Sequence, residues 1–236
     1  MRDVLGLPRT PRGVAERLAV TLLATDPRVV RLEDGRWTLA HQTASPTLDT
    51  CRFAVVDVET TGTSPRHGGR VVEIAVVELA AGTDGADARV TYETLINPER
   101  PIAPVVTRLT GITDQAVRTA PRFADVADTV LGALAGAVFV AHHVRFDWGF
   151  VAAELGRARG LLLAGPRLCT VRLARRLVPG LERRSLDALA HYFGFPVTVR
   201  HRAAPDARLA AQVLARLLRV GRERGARTLD ELTQLR

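Results

Sequence analysis

The sequence has no lysine and few cysteines, aromatic residues or long apolar runs. All 33 of its basic residues are arginines. Cys51 and Cys169 lie far apart and form no metal-ligand pair, so neither a disulfide framework nor a zinc site is indicated. The longest apolar stretch, residues 130–141, is shorter than the roughly 20 residues that a membrane-spanning helix needs. Because residues 1–11 also lack a secretory apolar segment, we expect a cytoplasmic protein with no membrane contact.

Charge is divided unevenly along the chain. The net charge is +8, yet residues 157–236 contain 17 arginines and 6 acidic residues, whereas residues 51–156 contain 9 arginines and 13 acidic residues. An acidic part beside a basic part suits a protein that holds cations on carboxylates and attracts a polyanion with arginines. Solvated helix faces would have a similar composition, so both interpretations stay open.

The length of 236 residues predicts one main domain with a small appendage. Residues 14–25 have helical apolar spacing, and VVRLEDGRWTLA predicts two short strands around an Asp34-Gly35 turn. This part is winged-helix-like, and we expect Trp37 to pack structurally rather than to contact nucleic acid. The expected divisions are an appendage (1–40), a linker (41–50), the main domain (51–222) and a C-terminal extension (223–236).

The main domain begins with three strand patterns, RFAVVDVE, RVVEIAVVEL and ARVTYETLI. The turns between them, at residues 62–69 and 82–87, are short, which predicts an antiparallel meander. A helix is then expected near Pro121, a strand over residues 137–141 and a second helix from about Phe146. The pattern as a whole predicts an α/β fold, with a mixed sheet covered by helices.

The rest of the chain is predicted to be mainly helical. Thr170 and Ser185 are the expected N-caps of two helices, since their side chains can accept hydrogen bonds from free backbone N–H groups. A long final helix is expected from about Pro205 to Arg222, with Pro205 at its first position.

Acidic residues stand at three structured positions. Asp57 and Glu59 lie two apart in an apolar strand, so both carboxylates project from one side and need a cation to neutralise them. Asp147 follows a short apolar strand and opens a helix, and Asp206 lies in the first turn of the last predicted helix. His201 precedes that helix in a loop. Each feature alone also fits an ordinary structural role, such as an acid at a helix start or a surface histidine.

The stretches DVETTG (57–62), HHVRFD (142–147) and HRAAPD (201–206) occur in the order and context found in the DEDDh exonucleases. The chain resembles this family, and in particular the epsilon proofreading subunit of bacterial DNA polymerase III. The resemblance covers approximately residues 52–219 and includes the segments RVVEIAVVEL, LTGIT and SLDALAHYFG. It implies a ribonuclease-H-like fold and 3′→5′ exonuclease activity.

The resemblance also implies roles for individual residues. The metal-binding acids would be Asp57, Glu59, Asp147 and Asp206, with His201 as the general base. The substrate contacts would be Thr60, Thr61, Gly62, Leu109, Gly111, Ile112, His142 and Phe146. The chain departs from the family's frequent pattern in having His143 where asparagine is common and Thr110 where histidine is common. Neither departure replaces a metal ligand.

Four carboxylates and no cysteine form an all-oxygen site, which favours two divalent ions, Mg²⁺ or Mn²⁺. Two ions about 4 Å apart could clamp one phosphodiester. We expect Asp57 to bridge them, Glu59 and Asp206 to complete one shell, and Asp147 to hold the second ion directly or through water. The expected products are 5′-mononucleotides from single-stranded or frayed DNA 3′ ends, because a paired end must first be unstacked.

Several alternatives stay open. RNA trimming by the same chemistry is one, and a nuclease fold kept as a silent nucleic-acid-binding or scaffold module is another. A DNA polymerase partner competes with a free-standing enzyme, which the short segment after the last helix favours. A winged-helix transcription factor is excluded by size, since no recognition helix is evident. Phosphate tracking by Arg172, Arg175 and Arg176 competes with a solvated helix face. The sequence gives no oligomeric state.

Overall fold

The structure is a computed structural model, which describes residues 11–24, 26, 29–32, 37–39, 45–80, 82, 85, 87–197 and 199–235. The chain divides into two units, residues 1–46 and 47–236. In the first unit, helix α1 (Arg12–Leu23) precedes strands β1 (Val29–Arg31) and β2 (Trp37–Leu39). The two strands pair antiparallel. The predicted Asp34-Gly35 turn lies outside the described residues.

The second unit is built around a mixed five-stranded sheet. Its strands are β3 (Arg52–Thr60), β4 (Val71–Ala80), β5 (Arg89–Leu95), β6 (Val138–Ala141) and β7 (Arg167–Cys169). Their spatial order is β5-β4-β3-β6-β7. The first three strands pair antiparallel, whereas β6 and β7 continue the sheet in parallel with β3. The predicted meander with added parallel strands, as in a ribonuclease-H-like fold, is confirmed.

Helices cover both faces of this sheet. They are α2 (Pro104–Thr110), α3 (Asp114–Val117), α4 (Phe123–Leu134), α5 (Val144–Arg159), α6 (Thr170–Leu177), α7 (Leu186–Phe193), α8 (Ala203–Glu223) and α9 (Leu229–Gln234), with a short 3₁₀ helix at Pro65–His67. None of the helices in the described part of the chain has the length and hydropathy to cross a bilayer.

Alternation along β3 divides the core into two layers. Phe53 and Val55 pack into a cluster that includes buried residues of α6, α7, α8 and α9. Ala54 and Val56 point the other way, into a cluster that includes buried residues of α4 and α5. Because a strand's side chains alternate faces, one apolar strand supplies both layers, and the α/β prediction is confirmed.

Several predicted boundaries differ from the structure. Thr170 is the first residue of α6 rather than its N-cap, and its hydroxyl contacts the ring of His142. Ser185 does cap α7, accepting a hydrogen bond from the Ala188 N–H. Pro205 is the third residue of α8 rather than the first. Proline is tolerated there because backbone N–H groups in the first turn have no intrahelical partner.

The second unit also includes residues expected in the linker and in the C-terminal extension. Leu48 is fully buried in the core, and Thr47 forms a β-bridge with Thr228. Leu229 and Leu232 of α9 are buried in the same cluster. The apolar residues at both ends of this unit therefore pack together against the sheet.

Candidate active site

Strand β3, at the middle of the sheet, carries Asp57 and Glu59 toward its carboxyl end. Its register with β4 places Asp57 opposite Ala75 and Glu59 opposite Glu73. On its other side, β6 pairs only with residues 53–55. Because β3 continues beyond β6, its last residues border a cavity rather than another strand.

Asp147 reaches this cavity from the first turn of α5. The helix begins after His143, whose left-handed backbone (φ 71°) turns the chain out of β6. The Asp147 carboxylate is buried and accepts a hydrogen bond from the Val58 N–H at 3.2 Å. Since β6 ends before the level of Val58, a carboxylate rather than a strand satisfies this backbone donor.

Asp206 and His201 come from the start of α8. Asp206 is buried in the first turn, and its Oδ2 accepts a hydrogen bond from the His201 N–H at 3.0 Å. His201 has a left-handed backbone (φ 59°), which is unfavourable for a non-glycine residue and needs support from its surroundings. Glu59, His201 and Asp206 each offer one potential ligand atom within 4.8 Å of the others.

An ion pair between the buried Glu73 and the exposed Arg202 supports this arrangement, and it could not be identified from the sequence. Glu73 of β4 accepts hydrogen bonds from Arg202 Nε at 3.0 Å and Nη2 at 2.6 Å. The same carboxylate accepts a bond from the Ala203 N–H at 2.8 Å, so it also satisfies a free donor at the start of α8. The available signal was an acid, Glu73, in the middle of the apolar pattern RVVEIAVVEL.

Burial and mutual repulsion disfavour the ionised carboxylates. Desolvation raises the pKa of Asp57 well above its usual range, and repulsion from the other three acids adds to this effect. Burial, followed by the charges of Asp206 and Glu73, raises the pKa of Glu59 to about 7. Burial also raises the pKa of Asp147, although two backbone hydrogen bonds oppose it. The site therefore favours a compensating positive charge.

Arg200 supplies part of that charge. Its guanidinium forms ion pairs with Asp206 of α8 and with Asp187 of α7. It also lines the cavity beside the acids, and its charge lowers the pKa values of Asp57 and Glu59 against the larger raising effects. A role for Arg200 could not be predicted from the sequence, because nothing in its local pattern indicates which way the side chain points.

The cavity has a volume of about 740 Å³. Of the residues predicted for the site, it is lined by Asp57, Glu59, His142, Phe146, Asp147, His201 and Asp206. The fold thus brings together four acids and a histidine from β3, α5 and the start of α8, which are separated by as many as 149 positions along the 236-residue sequence.

The other predicted substrate contacts do not line this cavity: Thr60, Thr61, Gly62, Leu109, Gly111 and Ile112. The Thr60 hydroxyl donates to the Gly62 carbonyl at 2.7 Å, and the Thr61 hydroxyl accepts from the Arg70 N–H at 3.0 Å. Ile112 is buried in a small separate apolar cluster. The side chains of Thr60, Thr61 and Ile112 therefore already have partners within the fold.

His142 provides an uncharged polar group on the cavity wall. Its Nδ1 lies 2.8 Å from the Thr170 hydroxyl. Burial, together with the nearby positive charge of His143 and Arg200, lowers the pKa of His142 to about 4. The imidazole is therefore neutral near pH 7 and adds no cation to the acidic cluster.

The donor set fits hard divalent cations. Four carboxylates face one cavity without a nearby thiolate ligand pair, and oxygen-only sites are preferred by Mg²⁺ and Mn²⁺. The Arg200 guanidinium, which pairs with Asp206, already places a positive charge at the carboxylates where such an ion would be favoured. Both observations support a cation site made by Asp57, Glu59, Asp147 and Asp206.

Comparison with known proteins gives consistent matches over the second unit. The RNase_T family model, described as "Exonuclease", matches residues 54–214. The "3'-5' exonuclease DinG" of Bacillus subtilis (strain 168) is 36% identical over 184 residues, which cover 78% of this chain and 19% of that protein. The "DNA polymerase III subunit epsilon" of Aquifex aeolicus (strain VF5) is 32% identical over 166 residues, covering 70% of this chain and 80% of that protein.

A solved structure shows the same similarity. The structure of "Exonuclease X in complex with 5' overhanging duplex DNA" matches with a TM-score of 0.56 and 27% identity, covering 77% of this chain and 99% of that chain. In the DinG match, by contrast, the chain spans only about a fifth of the relative's length.

Proposed function

The chain belongs to the RNase_T exonuclease family, and on that premise we propose that it is a metal-dependent 3′→5′ exonuclease of the DEDDh type. It hydrolyses the terminal phosphodiester bond of single-stranded or frayed DNA and releases 5′-mononucleotides. The observation that carries the proposal is the convergence of Asp57, Glu59, Asp147 and Asp206 with His201 on one cavity.

The four carboxylates would hold two divalent cations, Mg²⁺ or Mn²⁺, and Asp57 would contribute to the binding of both. When bound, these ions supply Lewis-acid stabilisation of the negative charge at the scissile phosphate. The protein's own contribution is to fix the ligands in advance. The Val58 N–H orients Asp147, and the His201 N–H orients Asp206, so neither carboxylate must be ordered when substrate arrives.

His201 accepts the proton of the attacking water. Histidine is the side chain that most often serves as a general base, and His201 lies beside Glu59 and Asp206 at the cavity. Its backbone N–H, rather than its ring, is bonded to Asp206, which leaves the ring nitrogens available for water. The neutral His142 is suited to hydrogen-bond the bound nucleotide without competing for a proton near pH 7.

DNA is the proposed substrate because the names of two similar proteins refer to it. One is a subunit of a DNA polymerase, and the other was solved with duplex DNA. A polymerase partner would follow from the first likeness, whereas the names of DinG and exonuclease X describe exonucleases and mention no polymerase. We favour the second arrangement, and RNA is tested beside DNA below.

The test is a gel with 5′-labelled single-stranded DNA and RNA of one sequence, incubated with Mg²⁺ or Mn²⁺. We expect the wild-type protein to produce a ladder that shortens from the 3′ end of DNA, and Asp57→Asn to produce none. The matched control is Asp128→Asn. It removes an exposed carboxylate of α4 that pairs with Arg159 and does not line the cavity. Measurable shortening by Asp57→Asn, or none by the wild type, would contradict the proposal.

A further inference from the structure

A second cavity, of about 650 Å³, adjoins the acidic one and is lined by arginines. Arg145 reaches it from α5, Arg167 from β7, and Arg172 and Arg176 from α6. We call these four residues the arginine pocket. Among the residues that the structure describes, no acidic side chain lines this cavity.

None of the four guanidinium groups forms an ion pair with a carboxylate in the part of the chain that the structure describes. Arg145 and Arg172 form no ion pair with any residue in the described ranges. The Arg167 guanidinium stacks over the Trp148 ring, 4.5 Å from its centroid, and Arg176 donates a hydrogen bond to the Thr233 carbonyl. Positive groups that converge without counter-charge repel one another, and a bound anion would offset this cost.

The pocket differs from an ordinary solvated helix face because two of its four arginines, Arg167 and Arg176, have partners that fix their position. Trp148, on which Arg167 stacks, packs edge-on against Phe139 with ring centroids 5.1 Å apart. Arg172 and Arg176 lie one helical turn apart on α6, so they project to the same side. Three elements of the fold therefore direct guanidinium groups into one concave surface.

The two cavities are continuous. Arg145 and Arg172 line both of them, as do Val144 and Cys169. A strand whose 3′ terminus lies at the carboxylates can continue only in its 5′ direction. We propose that the arginine pocket binds backbone phosphates of a single strand on the 5′ side of the nucleotide held in the acidic cavity. This inference rests on the proposed function and adds the path that the substrate takes.

Salt-dependent binding tests the pocket. A labelled oligothymidylate of about 12 nucleotides is titrated with the protein at salt concentrations from about 0.05 to 0.4 M. EDTA is present, so that the oligonucleotide stays intact. The variant combines Arg145→Gln, Arg167→Gln and Arg172→Gln. Each lost phosphate contact on a single strand lowers the slope of log affinity against log salt by about 0.7. We therefore expect the slope to fall by about 2 and affinity near 0.1 M salt to weaken by about 100-fold.

The control variant removes the same charge elsewhere, through Arg118→Gln, Arg183→Gln and Arg208→Gln. These arginines are exposed and line neither cavity. We expect the control to keep the wild-type slope to within about 0.5. If the pocket variant and the control behave alike, general net charge explains binding and the arginine pocket is overturned.

Hydrolysis of the p-nitrophenyl ester of thymidine 5′-monophosphate separates this inference from the proposed function. That ester fills the acidic cavity but has no upstream phosphates. We expect the double variant Arg167→Gln and Arg176→Gln, whose residues line only the second cavity, to bind the strand more weakly and yet to hydrolyse the ester at the wild-type rate with Mn²⁺, which also shows that it is folded. A wild-type protein that binds the strand through these arginines but cleaves neither substrate would refute the proposed function and leave the pocket supported. Equal loss of ester hydrolysis and strand binding would overturn the pocket as a separate site.

Discussion

Removing one negative charge from the acidic cavity should stabilise the metal-free protein. The perturbation is Glu59→Gln, which keeps the side chain's shape. Burial and neighbouring acids raise the pKa of Glu59 from 4.5 to about 7. Each pKa unit corresponds to about 1.36 kcal/mol, so the folded state ionises Glu59 at a cost of about 3 kcal/mol relative to the unfolded chain.

The sign of the pH dependence follows from the raised pKa. Below about pH 4.5 Glu59 is protonated in both states, and the charge costs nothing. Between about pH 4.5 and 7 the unfolded chain releases the proton while the folded protein retains it, so the free energy of unfolding falls as pH rises. Above that window the full cost is present. Glu59→Gln should therefore match the wild type near pH 4 and exceed it near about pH 8.

The assay is thermal unfolding by circular dichroism in EDTA across this pH range. For a chain of this size, about 3 kcal/mol corresponds to a rise in Tm of roughly 6 to 12 °C near pH 8. Adding Mg²⁺ should remove most of this difference, because the wild type binds the ion more tightly and gains about 2.7 kcal/mol at a hundredfold excess over Kd. Glu93→Gln on β5, which removes an exposed carboxylate, is the control. Equal melting temperatures of wild type and Glu59→Gln near pH 8 in EDTA would refute the reasoning.

Two further substitutions test residues beside the acids. His201→Ala should lower kcat by about 100-fold or more while leaving the Mn²⁺ affinity, measured by calorimetry, within a few-fold of wild type; loss of Mn²⁺ binding would make His201 a ligand instead of a base. Arg200→Gln should tighten Mn²⁺ binding by about tenfold, because the guanidinium no longer competes for Asp206. Arg175→Gln, which also lines the cavity, controls for the general electric field, and an equal effect of both variants would argue against direct competition.

The positions of the acids were largely predictable from the sequence because they follow local rules. Asp57 and Glu59 share a face since strand side chains alternate, and Asp206 lies in a first helical turn as expected. The antiparallel meander followed from three apolar runs joined by short turns. The periodicity of apolar residues and the length of turns are properties of a few neighbouring residues. They can therefore be recognised without knowing the rest of the fold.

The supporting contacts could not be predicted in the same way. Arg202 and Glu73 are 129 positions apart, and no local pattern pairs them. The Thr170 hydroxyl was expected to cap a helix but contacts His142, because β6 and β7 bring those two residues together. Such contacts depend on tertiary packing, which overrides the local preference of a side chain.

His201 lies between two arginines, Arg200 and Arg202. The two arginines form ion pairs with different elements of the fold. Arg202 is tied to Glu73 on β4, and Arg200 is tied to Asp206 and Asp187 on two helices. The segment that carries His201 is thus anchored twice, and only one anchor involves a predicted metal ligand. If a divalent ion displaced Arg200 from Asp206, as the proposed function requires, the ion pair between Arg202 and Glu73 would still hold the segment against β4. Ion loading and exchange would then leave the start of α8 folded.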